Sequence, residues 1–266
     1  MPTGIIKAII LGAVEGITEF LPISSTGHLI LVNQWISFST SFTAMFDIVI
    51  QLGAILAVVV YFRQRLWPFG KGQTQTKTAL GIWSKMIVGV IPAIFLGALF
   101  GSIIEEKLFN PWVVAAALFI GGIILILIEK NRGNSRFNSV SEIPLQTAFY
   151  IGLIQCLSMI PGTSRAAATI IGAILLGTSR SAAVEFSFFL AIPTMVAASG
   201  WSLLKHGLTM STAEFIILAV GFITAFFAAL AVVKFFVNYI QRRNFKPFGY
   251  YRIFLAALIL IYFLLR

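Results

Sequence analysis

Charge is what this chain lacks most. Only 11% of its 266 residues are charged, against 59% hydrophobic, and mean hydropathy is +0.96. Soluble domains carry about 25% charged residues, so too little polar surface remains to coat a water-soluble globule. That excludes a soluble enzyme and points to a bilayer. Acids are scarcer still: nine Asp and Glu stand against nineteen Lys and Arg, for a formal charge of +10. Such an excess would suit nucleic acid, but the basic residues fall in short connections between apolar runs, where membrane topology uses them. No nucleic-acid partner is expected. Cysteine is nearly absent. Cys156 stands alone in an apolar stretch, which excludes a disulfide framework and reads as a buried, inert thiol. A cleavable leader is missing too: the run Ala8–Val14 meets Glu15 before any cleavage-like site, so this segment is expected to persist in the mature protein.

Long apolar runs are what the chain has in abundance. A spanning helix needs about 20 apolar residues, and six runs qualify: Phe46–Phe62, Lys85–Phe100, Trp112–Ile128, Ala183–Leu204, Ala213–Val237 and Tyr250–Leu265. Two more regions are apolar but interrupted. Ile5–Ile36 is broken by Pro22-Ile-Ser-Ser-Thr-Gly-His28, and Pro144–Leu176 by Pro161-Gly-Thr-Ser-Arg165. Each half is too short to cross comfortably, so both read as re-entrant helix–turn–helix hairpins. The predicted fold is an all-α polytopic membrane protein, one domain over residues 1–266, with six transmembrane helices plus two re-entrant hairpins.

Charge orients it. Arg63, Arg65, Lys71, Lys77 and Lys85 share one connection; Lys130, Arg132 and Arg136 another; Arg180 follows, then Arg242, Arg243, Lys246 and Arg252. The other connections are poor in base, holding Glu105, Glu106 and Lys107, or Lys205, His206 and Glu214. With six spans and two hairpins, every basic loop falls on the cytoplasmic side. The first hairpin then dips in from outside and the second from inside. Trp35, Trp67, Trp83, Trp112 and Trp201 fall near predicted ends, as interfacial anchors should. Opposed insertion predicts inverted-topology repeats, approximately 1–110 and 140–240. Sequence echoes agree: Gly12-x-x-Glu15 with Gly152-x-x-Gln155, Pro-x-Ser-Ser25 with Pro-Gly-Thr-Ser164, and Asp47 with Glu185 early in the following helices. Paired interrupted segments place a site near the midplane. Gly97-x-x-x-Gly101 reads as a point of close helix approach.

Ionisable residues within such segments suggest function by default. Glu15 and Glu19, four apart, stack on one helix face. Two buried like charges must share a proton, bind a metal or be neutralised by Arg165, and hard oxygen ligands suit Mg²⁺ or Ca²⁺. A solvated helix face is the plain alternative. Ser24, Ser25, Thr26 and Gly27 form a turn before a helix that restarts near His28, an arrangement fit for capping and for anion binding alike. His28 stands beside these hydroxyls and suits acid–base work. Arg165 lies deep in the second hairpin, and its planar fork matches phosphate oxygens; the bland alternative makes it a partner of Glu185 or Asp47. Ser164 is expected to cap the next half-helix, with Thr163 and Thr169 adding donors. Asp47, Gln51 and Glu185 read as supporting groups.

The run Glu15-Gly-Ile-Thr-Glu19-Phe-Leu-Pro-Ile-Ser-Ser-Thr-Gly-His28 resembles the first signature of undecaprenyl-diphosphate phosphatases of the bacitracin-resistance type. Pro161-Gly-Thr-Ser-Arg165 through Thr169, followed by Glu185-Phe-Ser-Phe, resembles the second. The resemblance covers nearly the whole chain. It implies removal of the terminal phosphate of undecaprenyl diphosphate, which returns the lipid carrier for peptidoglycan assembly. It also implies a bacterial plasma-membrane location, a site opening to the outer face, a divalent-cation requirement and bacitracin resistance on overproduction. Glu15, Glu19, Ser25 and His28 carry over from the first signature, and Ser164, Arg165 and Thr169 from the second. The second signature commonly reads Ser-Arg-Ser, and Ala166 departs from it by one hydroxyl. A homodimer is compatible with all of this.

These residues support a mechanism in which Arg165 and turn N–H groups grip the diphosphate and Glu15 and Glu19 position the cation. Ser25 attacks phosphorus or orients a water, and His28 moves the proton. A polyprenyl-phosphate flippase or secondary transporter shares the expected architecture, but a Ser/His/Glu/Arg cluster exceeds what substrate binding needs. A structural membrane protein would not gather so many polar groups at two hairpin tips.

Overall fold

The computed structural model describes residues 2–69, 72–130, 134–206 and 210–266. Within them the chain is helical apart from turns and an isolated bridge between Phe137 and Thr178. In order, the helices are α1 (Pro2–Thr18), α2 (Ser25–Val32), α3 (Thr40–Tyr61), the single turn α4 (Arg63–Leu66), α5 (Gln73–Leu108), α6 (Pro111–Lys130), α7 (Leu145–Gln155), α8 (Arg165–Leu175), α9 (Arg180–His206), α10 (Thr212–Arg242) and α11 (Lys246–Leu264). A helix satisfies its own backbone polar groups, which an apolar surrounding demands.

Among the described residues, five helical stretches are long and apolar enough to cross a bilayer: Gln73–Ile104, Pro111–Lys130, Arg180–Gly200, Thr212–Arg242 and Lys246–Leu264. Each contains or largely overlaps a predicted span. The sixth expected span, Phe46–Phe62, lies in α3, whose apolar stretch Met45–Tyr61 is shorter. The boundary that moves most is the start of α5, at Gln73 rather than Lys85. Gln and Lys are good helix formers, so the polar stretch read as a loop continues the helix. Lys85 is therefore no loop charge: it is buried, and its Nζ donates to the carbonyls of Val140 at 2.8 Å and Ser141 at 2.6 Å. Trp83 is likewise no surface anchor, because its indole N–H donates to the Leu66 carbonyl at 2.8 Å. Trp35, Trp67 and Trp112 do stay exposed. The side chain of Trp201 lies outside the described ones.

Both interrupted regions are helix–turn–helix units. The first joins α1 to α2; the second joins α7 to α8 through a 3-10 turn at Cys156–Met159. With 17 residues, α1 is ~26 Å long at 1.5 Å per residue, longer than the short half-helix expected. Cys156 is half-buried, and its thiol donates to the Gly152 carbonyl at 3.4 Å.

Packing ties the first helix of each unit to a helix in the opposite half of the chain. α1 lies chiefly along α10 and α7 along α5, while α3 and α9 pack on each other and α6 pairs with α11. Glycine permits the closest approaches: a Cβ on Gly12 would overlap the backbone of Gly221, and one on Gly152 the backbone of Gly89. Gly97 and Gly101 do not play the part expected of them, since a Cβ on Gly101 would meet nothing within 4 Å and one on Gly97 only the end of Met159. Near the start of α11, Glu129 of α6 pairs with Arg180 of α9 and accepts the Phe245 backbone N–H at 3.0 Å, so one buried carboxylate fastens three helix ends.

Candidate active site

Each helix–turn–helix unit turns on a serine with an unusual backbone. Ser24 has φ +71° and ψ 99°, Ser164 has φ +68° and ψ 117°, and among the described residues these are the non-glycine positions with positive φ. Such conformations cost about 1–3 kcal/mol each and persist where the surroundings enforce them. Each serine caps the helix that follows: Ser24 Oγ accepts from Gly27 N–H at 3.2 Å, and Ser164 Oγ from Ala167 N–H at 3.2 Å. The first helical residue is consequently Ser25 in one unit and Arg165 in the other. The helix thus restarts at Ser25, earlier than the restart near His28 read from the sequence.

These two first residues meet on one carboxylate. Ser25 Oγ donates to Glu19 Oε2 at 2.6 Å, and Arg165 Nη2 donates to Glu19 Oε1 at 3.1 Å. The side chains of Arg165 and Glu19 are 9% and 7% exposed, so the pair is shielded from competing solvent. Arg165 Nη1 donates to the Ser187 carbonyl at 2.9 Å and to its hydroxyl at 3.3 Å, and Thr169 Oγ1 lies 2.6 Å from the same hydroxyl. The Phe20 ring covers the guanidinium, 5.7 Å from centroid to its central carbon. Arg165 Nε is buried and has no partner.

Glu15 is fully buried, and neither of its oxygens has a hydrogen-bond partner. Glu19, Asp47 and Arg165 are the charges that act on it. A divalent cation can be tested against this arrangement. Among the described residues no group of three or more His, Cys, Asp or Glu converges, and both oxygens of Glu19 are engaged. Of the expected pair Glu15 and Glu19, only Glu15 therefore has free donors. That fits Mg²⁺ or Ca²⁺ bound through few carboxylates, with phosphate and water completing the shell.

His28 makes its hydrogen bonds to groups other than Ser25. Its Nδ1 is 2.7 Å from the Ser24 carbonyl, which can only accept, and its Nε2 is 2.7 Å from the Tyr251 hydroxyl, with the two rings stacked. In the neutral ring Nδ1 carries the proton and Nε2 accepts from the tyrosine.

Other expected members are placed differently. Asp47 accepts from Asn33 Nδ2 at 3.0 Å and keeps its second oxygen buried without a partner. Glu185 pairs with Arg65 of α4, not with Arg165. Among the described contacts Thr26, Thr163 and Gln51 make no side-chain hydrogen bond, and Gly27 is a packing position where a Cβ would come within 3.0 Å of Leu118. Ala166 is fully buried in the main apolar core. Ser187, Tyr251 and Phe20 were missed from sequence. A signal existed for Ser187, because the register that pairs Gly12 with Gly152 and Glu15 with Gln155 also pairs Ser24 with Ser164 and Asp47 with Ser187. The echo matching Ser25 to Ser164 is thus one residue out, and Asp47 answers to Ser187 rather than Glu185. Nothing singled out Tyr251 or Phe20, which read as ordinary apolar-run aromatics.

A hydroxyl held on a carboxylate, beside a guanidinium with a spare N–H, combines nucleophile, base and anion grip. That combination serves transfer of a tetrahedral anionic group. Comparison with known proteins agrees. The family described as bacitracin resistance protein BacA matches residues 8–258. The chain is 51% identical over 265 residues to undecaprenyl-diphosphatase 1 of Clostridioides difficile, covering 98% of this chain and 97% of that one. Undecaprenyl-diphosphatases of Lachnoclostridium phytofermentans and Lactiplantibacillus plantarum are 51% and 49% identical, each over 98% of this chain and 97% and 98% of their own lengths.

Proposed function

The chain belongs to the bacitracin resistance protein BacA family, and from that premise we propose how its paired turns act on a lipid diphosphate. The protein is a multi-pass membrane phosphatase that takes the terminal phosphate from undecaprenyl diphosphate, leaving undecaprenyl phosphate and inorganic phosphate. Cell-wall synthesis regains its carrier, and bacitracin resistance accompanies the family.

One observation carries the mechanistic reading: Glu19 is shared by Ser25 and Arg165, residues contributed by different turns. Arg165 holds the diphosphate through its buried, unpartnered Nε while Ser187 and Thr169 fix the rest of the fork. Glu19 takes the Ser25 hydroxyl proton as Oγ attacks the terminal phosphorus. The Oγ–P bond forms, the bridging P–O bond breaks, and undecaprenyl phosphate departs with the bond's electrons on its oxygen. Water then attacks the phosphorus, the Oγ–P bond breaks, Glu19 returns its proton to Ser25 Oγ, and phosphate leaves carrying the water's oxygen and protons. Glu19 replaces His28 as base to Ser25 in this reading, since His28 is held by Ser24 and Tyr251. His28 with Tyr251 serves the leaving oxygen. A divalent cation on Glu15 neutralises diphosphate charge when bound.

The surrounding layout we read as six spans and two re-entrant hairpins in inverted-topology repeats, with the site opening to the outer face. The matched serines and the crossed packing of α1 on α10 and α7 on α5 support that reading. Purified protein in detergent should release phosphate from a polyprenyl diphosphate, a setting in which transport is undefined. Absence of release would favour the rival flippase reading. Radiolabelled phosphate should be trapped on Ser25, whereas normal turnover by Ser25→Ala would leave only direct attack by water.

A further inference from the structure

Arg252 was counted with the basic loops, but it is fully buried inside the fold, on α11. Among the described residues no carboxylate lies within ion-pair distance of it. Its guanidinium donates instead to four carbonyls on three separate pieces of chain. Two belong to α6, Ala117 at 3.0 Å and Leu118 at 3.3 Å. The others are Pro22 at 3.4 Å, in the first turn, and Gly162 at 3.1 Å, in the second. A buried charge is tolerated only when its donors are met, and here two of the four acceptors that meet them lie in the two turns that carry the site. Room for the group is made at Gly121, where a Cβ would overlap the guanidinium. Gly162, at φ +90°, presses against the backbone of Val114, so the second turn is pinned between α6 and Arg252.

We propose that Arg252 is a positioning residue for the phosphatase reaction: its rigid fork, anchored on the α6 carbonyls, ties the Pro22 and Gly162 carbonyls together, and so holds Ser25 and Glu19 in register with Arg165. The inference rests on the reading of these turns as the catalytic cluster. Lysine keeps the charge but offers donors from one nitrogen, which cannot span the carbonyls that a planar fork reaches. A displacement of about 1 Å at a reacting centre costs on the order of 100-fold in rate.

The test compares wild type, Arg252→Lys, Arg252→Gln and Gly121→Ala in detergent, by phosphate release and by amide hydrogen exchange. Arg252→Lys and Arg252→Gln should both lower kcat by roughly 100-fold with KM little changed. Exchange should quicken in segments 20–28 and 160–168 while α5 and α10 keep wild-type protection. Gly121→Ala, which leaves the arginine in place but displaces it, should give the same pattern more weakly and covers the case in which the arginine variants fail to fold. Wild-type kcat in Arg252→Lys, or quickened exchange spread evenly over every helix, would overturn the proposal. Silence of the wild type itself would instead count against the phosphatase reading, so the two failures are distinguishable.

Discussion

The turn before α2 and the turn before α8 share a backbone and differ in what they present. Each places a serine at positive φ, caps the next helix through that serine and sends the following residue towards Glu19. In the first turn that residue is Ser25, a short hydroxyl; in the second it is Arg165, a long cation. Behind them the contrast repeats. Glu15, carboxylate and unpartnered, answers to Gln155, an amide that hydrogen-bonds Thr194 at 3.1 Å. Asp47, with an unpartnered oxygen, answers to Ser187, which is fully engaged with Arg165 and Thr169. One half is therefore acidic, the other cationic and braced. A shared scaffold brings the turns together, and in the proposed mechanism the differences between them make the chemistry.

Removing the cation from the second turn should break this division most severely. Arg165→Ala is expected to reduce phosphate release by roughly 1,000-fold or more, the range of a charge-stabilising arginine in phosphoryl transfer. Arg165→Lys should lose roughly 100-fold, because the charge survives and the fork does not. Near-normal kcat in purified Arg165→Lys would reduce its role to charge alone. Next, Glu15→Gln makes the first half resemble the second at this position. It should cost roughly 10–100-fold and abolish the response to added Mg²⁺ or Ca²⁺; an intact response would move the cation elsewhere. Tyr251→Phe takes one hydrogen bond from His28 and should lower kcat about fivefold, the equivalent of roughly 1 kcal/mol. The smallest effect sharpens the likeness of the turns. Ser24→Gly and Ser164→Gly should each relieve backbone strain at the loss of a cap, a net gain of about 1 kcal/mol. Thermal unfolding should show shifts of the same sign and similar size, and opposite signs would mean that the two turns are enforced differently.

Much of this was legible in the sequence, for identifiable reasons. Apolar runs reported the long helices because bilayer solvation leaves little alternative, and proline, glycine and serine marked both turns. The meeting of Glu19 with Arg165 was expected from polar residues crowding two interruptions. Charge counting misled where a cation was assigned to its nearest connection, as Lys85 and Arg252 show; each is buried against backbone carbonyls that no pattern announces. The pairing of Asp47 with Glu185 followed likeness of side chain, whereas the backbone register matches Asp47 with Ser187. His28 was assigned to Ser25 by closeness in sequence, but its ring is held between the Ser24 carbonyl and Tyr251, which comes from the far end of the chain.

The glycine contacts of α1 with α10 and of α7 with α5 reach beyond local packing. Severed at the connection between α6 and α7, neither fragment would contain the main bed on which its own leading helix rests. The two lengths of polypeptide are interlocked like clasped hands, so assembly of the amino-terminal portion waits on synthesis of the carboxy-terminal one.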